Sequence, residues 1–338
     1  MNKAKTLMKK TQFFVLVILI VYCIVVTAIN PAFATMQNVL DIVRNLSVTM
    51  IFAMGVMLVL ISGGLDVSFA IIAVFSAYAS ILAMKAMNVD NLLVAFLIAA
   101  VVGAALGSIN ALLIHFFKIP IFIATLGTQT MFIGLMAVLL GTTTIKTPQM
   151  PTCLVDFGTQ KLVSITTDGG QTYGLYVYII PVVLVIGVTA FILYKTRMGR
   201  SIVAIGNGVE AAKRAGYNLF ATRMFLYVLV GIFASIAGIM YVSQVAWIAP
   251  LINNLVGTTE LTTIAAVVIG GTNLTGGHGT ITGTILGVLL IQVFSSTLIF
   301  LGLSSSWNDL FQGIVLIACI IVTSVNNYRE RKKLLLFD

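Results

Sequence analysis

Long apolar runs separated by short polar interruptions dominate the chain. They lie near Phe13–Ile29, Leu46–Ser62, Phe69–Met84, Leu92–Phe116 and Ile121–Leu140, and then near Tyr176–Tyr194, Met224–Val245, Leu261–Ile269, Ile281–Phe300 and Leu310–Val325. A helix needs roughly 20 apolar residues to cross the hydrocarbon core of a bilayer. The pattern therefore predicts an all-α polytopic membrane protein with about ten transmembrane helices. A single membrane domain spans 13–325, between tails at 1–12 and 326–338.

Composition agrees. Of 338 residues, 59% are hydrophobic and 9% charged, with a mean hydropathy of +1.10. Soluble domains carry about 25% charged residues to keep their surface wet, so this composition excludes a soluble fold. The net charge of +9 raises the question of a nucleic-acid partner, but its placement excludes one. Lys3, Lys5, Lys9 and Lys10 precede the first run. Lys195, Arg197, Arg200, Lys213, Arg214 and Arg223 share one polar segment, and Arg329, Arg331, Lys332 and Lys333 close the chain. This distribution places all three segments, and both termini, in the cytoplasm. An even number of crossings, six of them before 195–223, gives the same answer.

The first run, preceded by lysines and followed by Ala32-Phe33-Ala34, imitates a cleavable signal. Its length exceeds the usual signal core of about 7–15 residues, so a retained helix is expected. The longest polar stretch, 141–175, falls outside the cell by parity. Leu162-Val163-Ser164-Ile165 between Gly and Asp signals predicts a short hairpin there. Cys23, Cys153 and Cys319 lie far apart, as do His115 and His278. Neither set has disulfide or metal-ligand spacing. No cofactor is expected.

Two polar interruptions resemble each other. Ile61-Ser62-Gly63-Gly64-Leu65-Asp66-Val67-Ser68 breaks nearly 40 apolar residues, and Ile269-Gly270-Gly271-Thr272-Asn273-Leu274-Thr275 precedes Gly276-Gly277-His278-Gly279. The two align as Ile-Gly-Gly if Ser62 is an insertion. Paired glycine interruptions in corresponding halves point to a transporter's central site; alternatively, they are turns at the membrane face. Asp66 or Ser68 would cap the next helix or, in the case of Asp66, accept hydrogen bonds from a solute. The second stretch lacks the lysine and hydroxyl residue of a phosphate-binding loop.

A third constellation lies in the basic segment 195–223. Gly208 and Gly216 bracket Glu210-Ala211-Ala212-Lys213-Arg214-Ala215, a stretch of high helix propensity. It reads as a short surface helix that docks on a partner, or as a loop that only fixes topology. Asn45, Asn110, Thr125, Gln129, Thr130 and Glu260 fall within or beside apolar runs. Such residues usually face the bundle interior, bonding other helices or lining a pathway. Gly103 and Gly107, and the series Gly279, Gly283 and Gly287, allow close helix packing.

The ordered motifs give the chain a family likeness. Asn30-Pro31 with Phe33 and Asn38, then Gly63 to Ser68, form the first. Gly199-Arg200, Ala204-Ile205-Gly206-Asn207, Glu210-Ala211-Ala212 and Gly216 form the second. Ala265 to Thr272, Gly276-Gly277, Gly279-Thr280 and Gly283-Thr284 form the third. In this order, over about residues 30–325, the chain resembles the ABC-type sugar permeases that include the ribose, xylose and autoinducer-2 importers. The resemblance implies a multi-pass permease subunit of the bacterial inner membrane, without an ATPase site of its own. It implies a second permease subunit, identical or different, and an extracytoplasmic solute-binding protein. A cytoplasmic ATPase, in tandem form, would dock on Gly206, Asn207, Glu210, Ala211, Ala212, Arg214 and Gly216. The solute would be a monosaccharide. Its pathway would use Asp66, Ser68, Asn45, Asn110, Gln129 and Asn273, with broken helices at Gly63, Gly64, Gly270, Gly271, Gly276 and Gly277. Phe69-Ala70, Asn273 and His278 depart from the family's common choices, which bears on the sugar more than on transport. The rival readings are a permease for nucleosides or branched-chain amino acids, an ion-coupled secondary transporter, and a membrane-embedded enzyme.

Overall fold

The computed structural model describes residues 11–166, 172–250, 255–257 and 259–302, and beyond these 304, 306, 307, 310, 311, 313, 314 and 317. Both terminal tails, apart from residues 11 and 12, and most of the run Leu310–Val325 lie outside the described residues. The long helices are α1 (Thr11–Ile29), α2 (Met36–Ile61), α3 (Phe69–Met87), α4 (Leu92–Phe116) and α5 (Ile121–Leu140). After the short α6 (Thr152–Thr159) come α7 (Ile179–Lys195), α8 (Arg197–Asn207), α9 (Val209–Arg214), α10 (Leu219–Val245), α11 (Thr259–Ile269) and α12 (Ile281–Phe300).

Among the described residues seven helices are long and apolar enough to cross a membrane, or eight if α7 and α8, which bend by 73° at their break, are one span. The expectation of ten is met only in part. Leu261–Ile269 is not a full crossing, because α11 has 11 residues, about 16 Å of helix against about 30 Å of hydrocarbon.

The helices alternate between two ends. At one end Gln12 bonds Thr280, and Ile61 O accepts from Gly277 N at 2.9 Å. This end carries Lys118 and the basic stretch 195–223, and is termed the basic end. At the other, Asn30 Nδ2 reaches Phe300 O and Tyr78 donates to Thr143 O. This second end is closed by β1 (Ile145–Lys146) paired with β4 (Trp247–Ile248) and by the hairpin of β2 (Lys161–Thr166) and β3 (Thr172–Tyr176). The hairpin matches the one expected from Leu162–Ile165. The α6 turn was not expected. Asp90 Oδ1 accepts from Cys153 N at 3.0 Å, satisfying one free backbone donor of its first turn, and the Thr152 hydroxyl also bonds the Asp90 carboxylate.

The core is α2, α3 and α10. Ile51 to Ile61 are almost entirely buried, as expected of a helix that is apolar all round. In contrast, α1 exposes Phe14, Ile18, Val21 and Ile24 on its lipid-facing side. Lipid supplies no hydrophobic force between helices, so close backbone approach holds them together. A Cβ on Gly107 would lie 2.1 Å from Tyr227 O, and one on Gly231 2.1 Å from Gly103 O, so the Gly103/Gly107 pair packs α4 on α10 within the chain. Gly283 and Gly287 serve α12 in the same way, against Gly270 and Ala266 of the α11 end.

Candidate functional site

The two glycine interruptions are helix ends at one face of the bundle. Gly63 has φ +85; Gly63 N donates to Leu60 O, and Gly64 N to Val59 O. Gly271 has φ +90; Gly271 N donates to Val268 O, and Thr272 N to Val267 O. Both are Schellman terminations, which require a left-handed residue that glycine supplies without strain. The correspondence is gapless: Ser62 matches Gly270 and Gly63 matches Gly271. The alignment that treats Ser62 as an insertion is corrected, since it is the left-handed position that sets the register. Gly64 and Gly270 serve close packing instead, a Cβ on them meeting Ile121 and Gly283. Because α2 has 26 residues, about 39 Å of helix, its glycine end lies at the membrane face.

The three motifs meet at this face. A Cβ on Gly206 would lie 1.8 Å from Ile61 O, and one on Gly276 2.7 Å from Gly63 Cα and 2.8 Å from Gly206 O. A Cβ on Gly277 would strike Asn207. The C-terminus of α8, the end of α2 and the turn before α12 are therefore one backbone-to-backbone junction.

The mid-depth break lies elsewhere, at the start of α11. Leu255–Gly257 are not helical. Glu260, in the first turn of α11, is buried. Its Oε1 accepts from Gln129 Nε2 at 3.0 Å, and its Oε2 accepts from Gly257 N at 2.6 Å. Gln129 lies about 12 Å along α5 from Ile121, near the middle of that helix. A half-helix thus begins inside the bundle with its N-terminus, the positive dipole end, at a carboxylate. Toward the hairpin end, Asn45 Oδ1 accepts from Gln244 Nε2 at 2.9 Å. A cavity of about 450 Å³ opens there, lined by Asn45, Thr49, Gln244 and Thr259. Arg44 on its wall donates to Gly158 O and stacks 4.3 Å from the Tyr176 ring centre.

The six pathway candidates therefore separate. Asn45 lines this cavity and Gln129 joins Glu260 below it. Asp66, Ser68 and Asn110 form a sealed cluster near the basic end. Asp66 Oδ1 accepts from Ser68 N and Ser68 Oγ, both at 2.7 Å, and Asn110 Nδ2 donates to Ser68 Oγ at 2.7 Å. Asp66 is 2% exposed and the other two 0%. Asp66 thus closes a turn onto Ser68, the residue ahead of α3, without bonding an amide of the helix itself, and its Oδ2 is buried without a hydrogen-bond partner. Asn273 Oδ1 accepts from Thr275 N within the turn before α12. Thr125 Oγ1 bonds Leu65 O and Val67 N, tying α5 to that cluster. Thr130 is exposed and bonds its own helix at Leu126 O, so it is not an interior residue. Gln244 and Thr259 were missed, although Gln244, a polar residue at the end of an apolar run, answers to the rule that picked out Asn45.

Among the coupling residues, Glu210, Ala211 and Arg214 are exposed and Ala212 is buried. Gly208 and Gly216 bound α9 as expected, with Gly216 N donating to Lys213 O and Tyr217 N to Ala212 O. Gly206 is packed at the junction and only partly exposed. Asn207 is exposed, with its Nδ2 donating to Val203 O at 2.9 Å. Between α9 and the turn joining α4 to α5 lies a cavity of about 920 Å³. Among the described residues no group of three or more His, Cys, Asp or Glu is arranged to hold a metal ion.

Known proteins resemble this chain over most of its length. The autoinducer 2 import system permease protein LsrC of Yersinia pestis (strain Pestoides F) is 32% identical over 293 residues, covering 87% of this chain and 79% of the relative. LsrC of Yersinia pseudotuberculosis serotype O:3 (strain YPIII) matches at the same identity and coverage. No solved structure matches. Residues 38–320 match the family described as branched-chain amino acid transport system / permease component. That span contains the glycine junction, the half-helix and α9, so this multi-pass membrane protein belongs to the family of branched-chain amino acid transport system permease components.

Proposed function

We propose that the protein is the membrane-spanning subunit of an ATP-binding-cassette importer of the inner membrane, and that it passes a small polar solute of the sugar or autoinducer-2 class. The observation that carries this reading is the half-helix α11, which begins at mid-depth beside Glu260 and Gln129, below the cavity lined by Asn45 and Gln244. Discontinuous helices with N-termini near the midplane are where transporters build their sites. Relatives named as autoinducer 2 import permeases support that solute class. The Glu260 carboxylate is occupied by Gln129 and Gly257. The cavity offers the Asn45 and Gln244 amides, the Thr49 and Thr259 hydroxyls and the Arg44 guanidinium, whose Nε is buried without a hydrogen-bond partner, and these groups suit a small polar solute.

The energy would come from a cytoplasmic ATPase docked on α9, with the basic end inside the cell as its charges require. The physical route is short. Displacing α9 pulls α8, and Gly206 at its end bears on Ile61 and Gly276. Motion there reaches the end of α2 and the turn between α11 and α12 together, so one stroke bears on both helices that flank the mid-depth site. A solute-binding protein would deliver from the hairpin end, and a second permease subunit would complete the gate. Uptake of labelled solute into vesicles tests this: it should require ATP and the partner ATPase. Uptake that follows a proton gradient without any ATPase would establish an ion-coupled transporter instead.

A further inference from the structure

Among the described residues, the cavity at the hairpin end is lined by one charged side chain, Arg44, and by no carboxylate. Arg44 sits about two turns inside α2, which starts at Met36. Ionisable groups within a spanning helix mark solute pathways. The Glu260 carboxylate is not part of this lining and is taken up by Gln129 and Gly257. The guanidinium is therefore oriented but not neutralised. Its Nη2 donates to Gly158 O at 3.1 Å, and the group stacks 4.3 Å from the Tyr176 ring centre. Gly158 is itself fixed, because a Cβ there would stand 1.9 Å from Ser243 O, so the carbonyl that aims Arg44 is anchored on α10. Arg44 Nε and the hydroxyls of Tyr178 and Ser243 are buried without hydrogen-bond partners. Lys161 brings a second cation to 5.6 Å from the same Tyr176 ring. A desolvated cation without an anion is costly, and an oxyanion arriving in the cavity would offset that cost.

We infer that Arg44 is the oxyanion subsite of this cavity and that the solute is a small polyhydroxylated acid of the sugar-acid type. The inference rests on the pathway reading above and narrows its solute class. The planar guanidinium fork matches the geometry of a carboxylate. The Asn45 and Gln244 amides and the Thr49 and Thr259 hydroxyls remain for the solute's own hydroxyls. An amino acid or an amino sugar fits less well, because its ammonium meets no carboxylate among the described lining residues. A neutral sugar leaves the charge of Arg44 unmatched.

The test titrates the full chain in nanodiscs with D-glucuronate, D-glucose and D-glucosamine, which share one ring and differ in charge, and with the matching galactose series. At least one of the two acids should bind about tenfold more tightly than its neutral parent, and the amines more weakly still. Added salt should shrink that preference. Arg44→Gln should level the acid with its parent, and Arg44→Lys should keep part of the difference. Lys85→Gln, exposed at the same end but outside the cavity, should keep all of it. Wild-type protein that binds neither acid, or binds acid and parent equally, would overturn the inference, as would a preference that survives in R44Q. ATP-driven uptake of neutral sugars alone would keep the importer reading and sink the oxyanion subsite. Acid-selective binding without ATP-driven uptake would do the reverse.

Discussion

Replacing Gly206 by alanine tests the junction that joins α8 to the helix ends. The added Cβ would stand 1.8 Å from Ile61 O and 2.6 Å from Gly277 N. Both neighbours are backbone, so no side chain can swing aside. To restore an ordinary contact of 3.4 Å the two stretches of chain must part by about 1.6 Å, an overpacking cost of roughly 1–3 kcal/mol. The same movement stretches the Gly277 N to Ile61 O bond from 2.9 Å past hydrogen-bonding range, a further ~0.5–1.5 kcal/mol. The sum is about 1.5–4.5 kcal/mol. Gly134→Ala is the control, because nothing lies within 4 Å of its Cβ; a helical alanine there should gain roughly 0.5–1 kcal/mol. Thermal unfolding in nanodiscs and ATP-driven uptake should both fall for G206A and hold for G134A. Indistinguishable behaviour of the two variants would refute the junction and the transmission route built on it.

Four other outcomes are expected. Glu260→Ala strips the partners from Gln129 and Gly257 N, each a buried loss of about 1–3 kcal/mol; solute uptake should drop at least tenfold by the corresponding arithmetic, while ATPase docking in pull-down assays stays normal. Asp66→Ala removes the acceptor of Ser68 at a cost of about 1–3 kcal/mol; protein yield and transport should fall together, and loss of transport at full yield would make Asp66 a solute contact. Glu210→Lys inverts charge on α9, so ATPase stimulation should vanish with normal membrane levels, and normal transport would end the docking assignment. Hydrogen bonds from Cys153 and then Thr152 hold the Asp90 carboxyl below its ordinary value. Its folded pKa is below the unfolded one, so its contribution is complete above about pH 4 and is lost as pH falls further. Hydrogen exchange at the α6 amides should rise in that acid window, and Asp90→Asn should abolish the pH dependence.

The apolar runs were sufficient for the membrane bundle, and the turn signals for the hairpin after residue 160. These depend on one-dimensional quantities, the length of an apolar stretch and the chemistry of turn residues. The bracketing of α9 by Gly208 and Gly216 was legible for the same local reason. The meaning of the paired glycine stretches was not. The two glycine-pair stretches look like breaks within helices, yet α2 is long enough to have crossed before Gly63, and only the fold brings Gly63, Gly206 and Gly276 together. Nor does the sequence give depth. Asp66 stood out as a carboxylate among apolar residues, but its neighbour Ser68 satisfies one oxygen and the bundle seals it. Glu260 acquires its place because Gln129, 131 residues away, meets it halfway along α5. A run of apolar residues determines that a helix is buried in lipid; which polar group faces which is decided by how the helices pack, and that is a property of pairs distant in the chain.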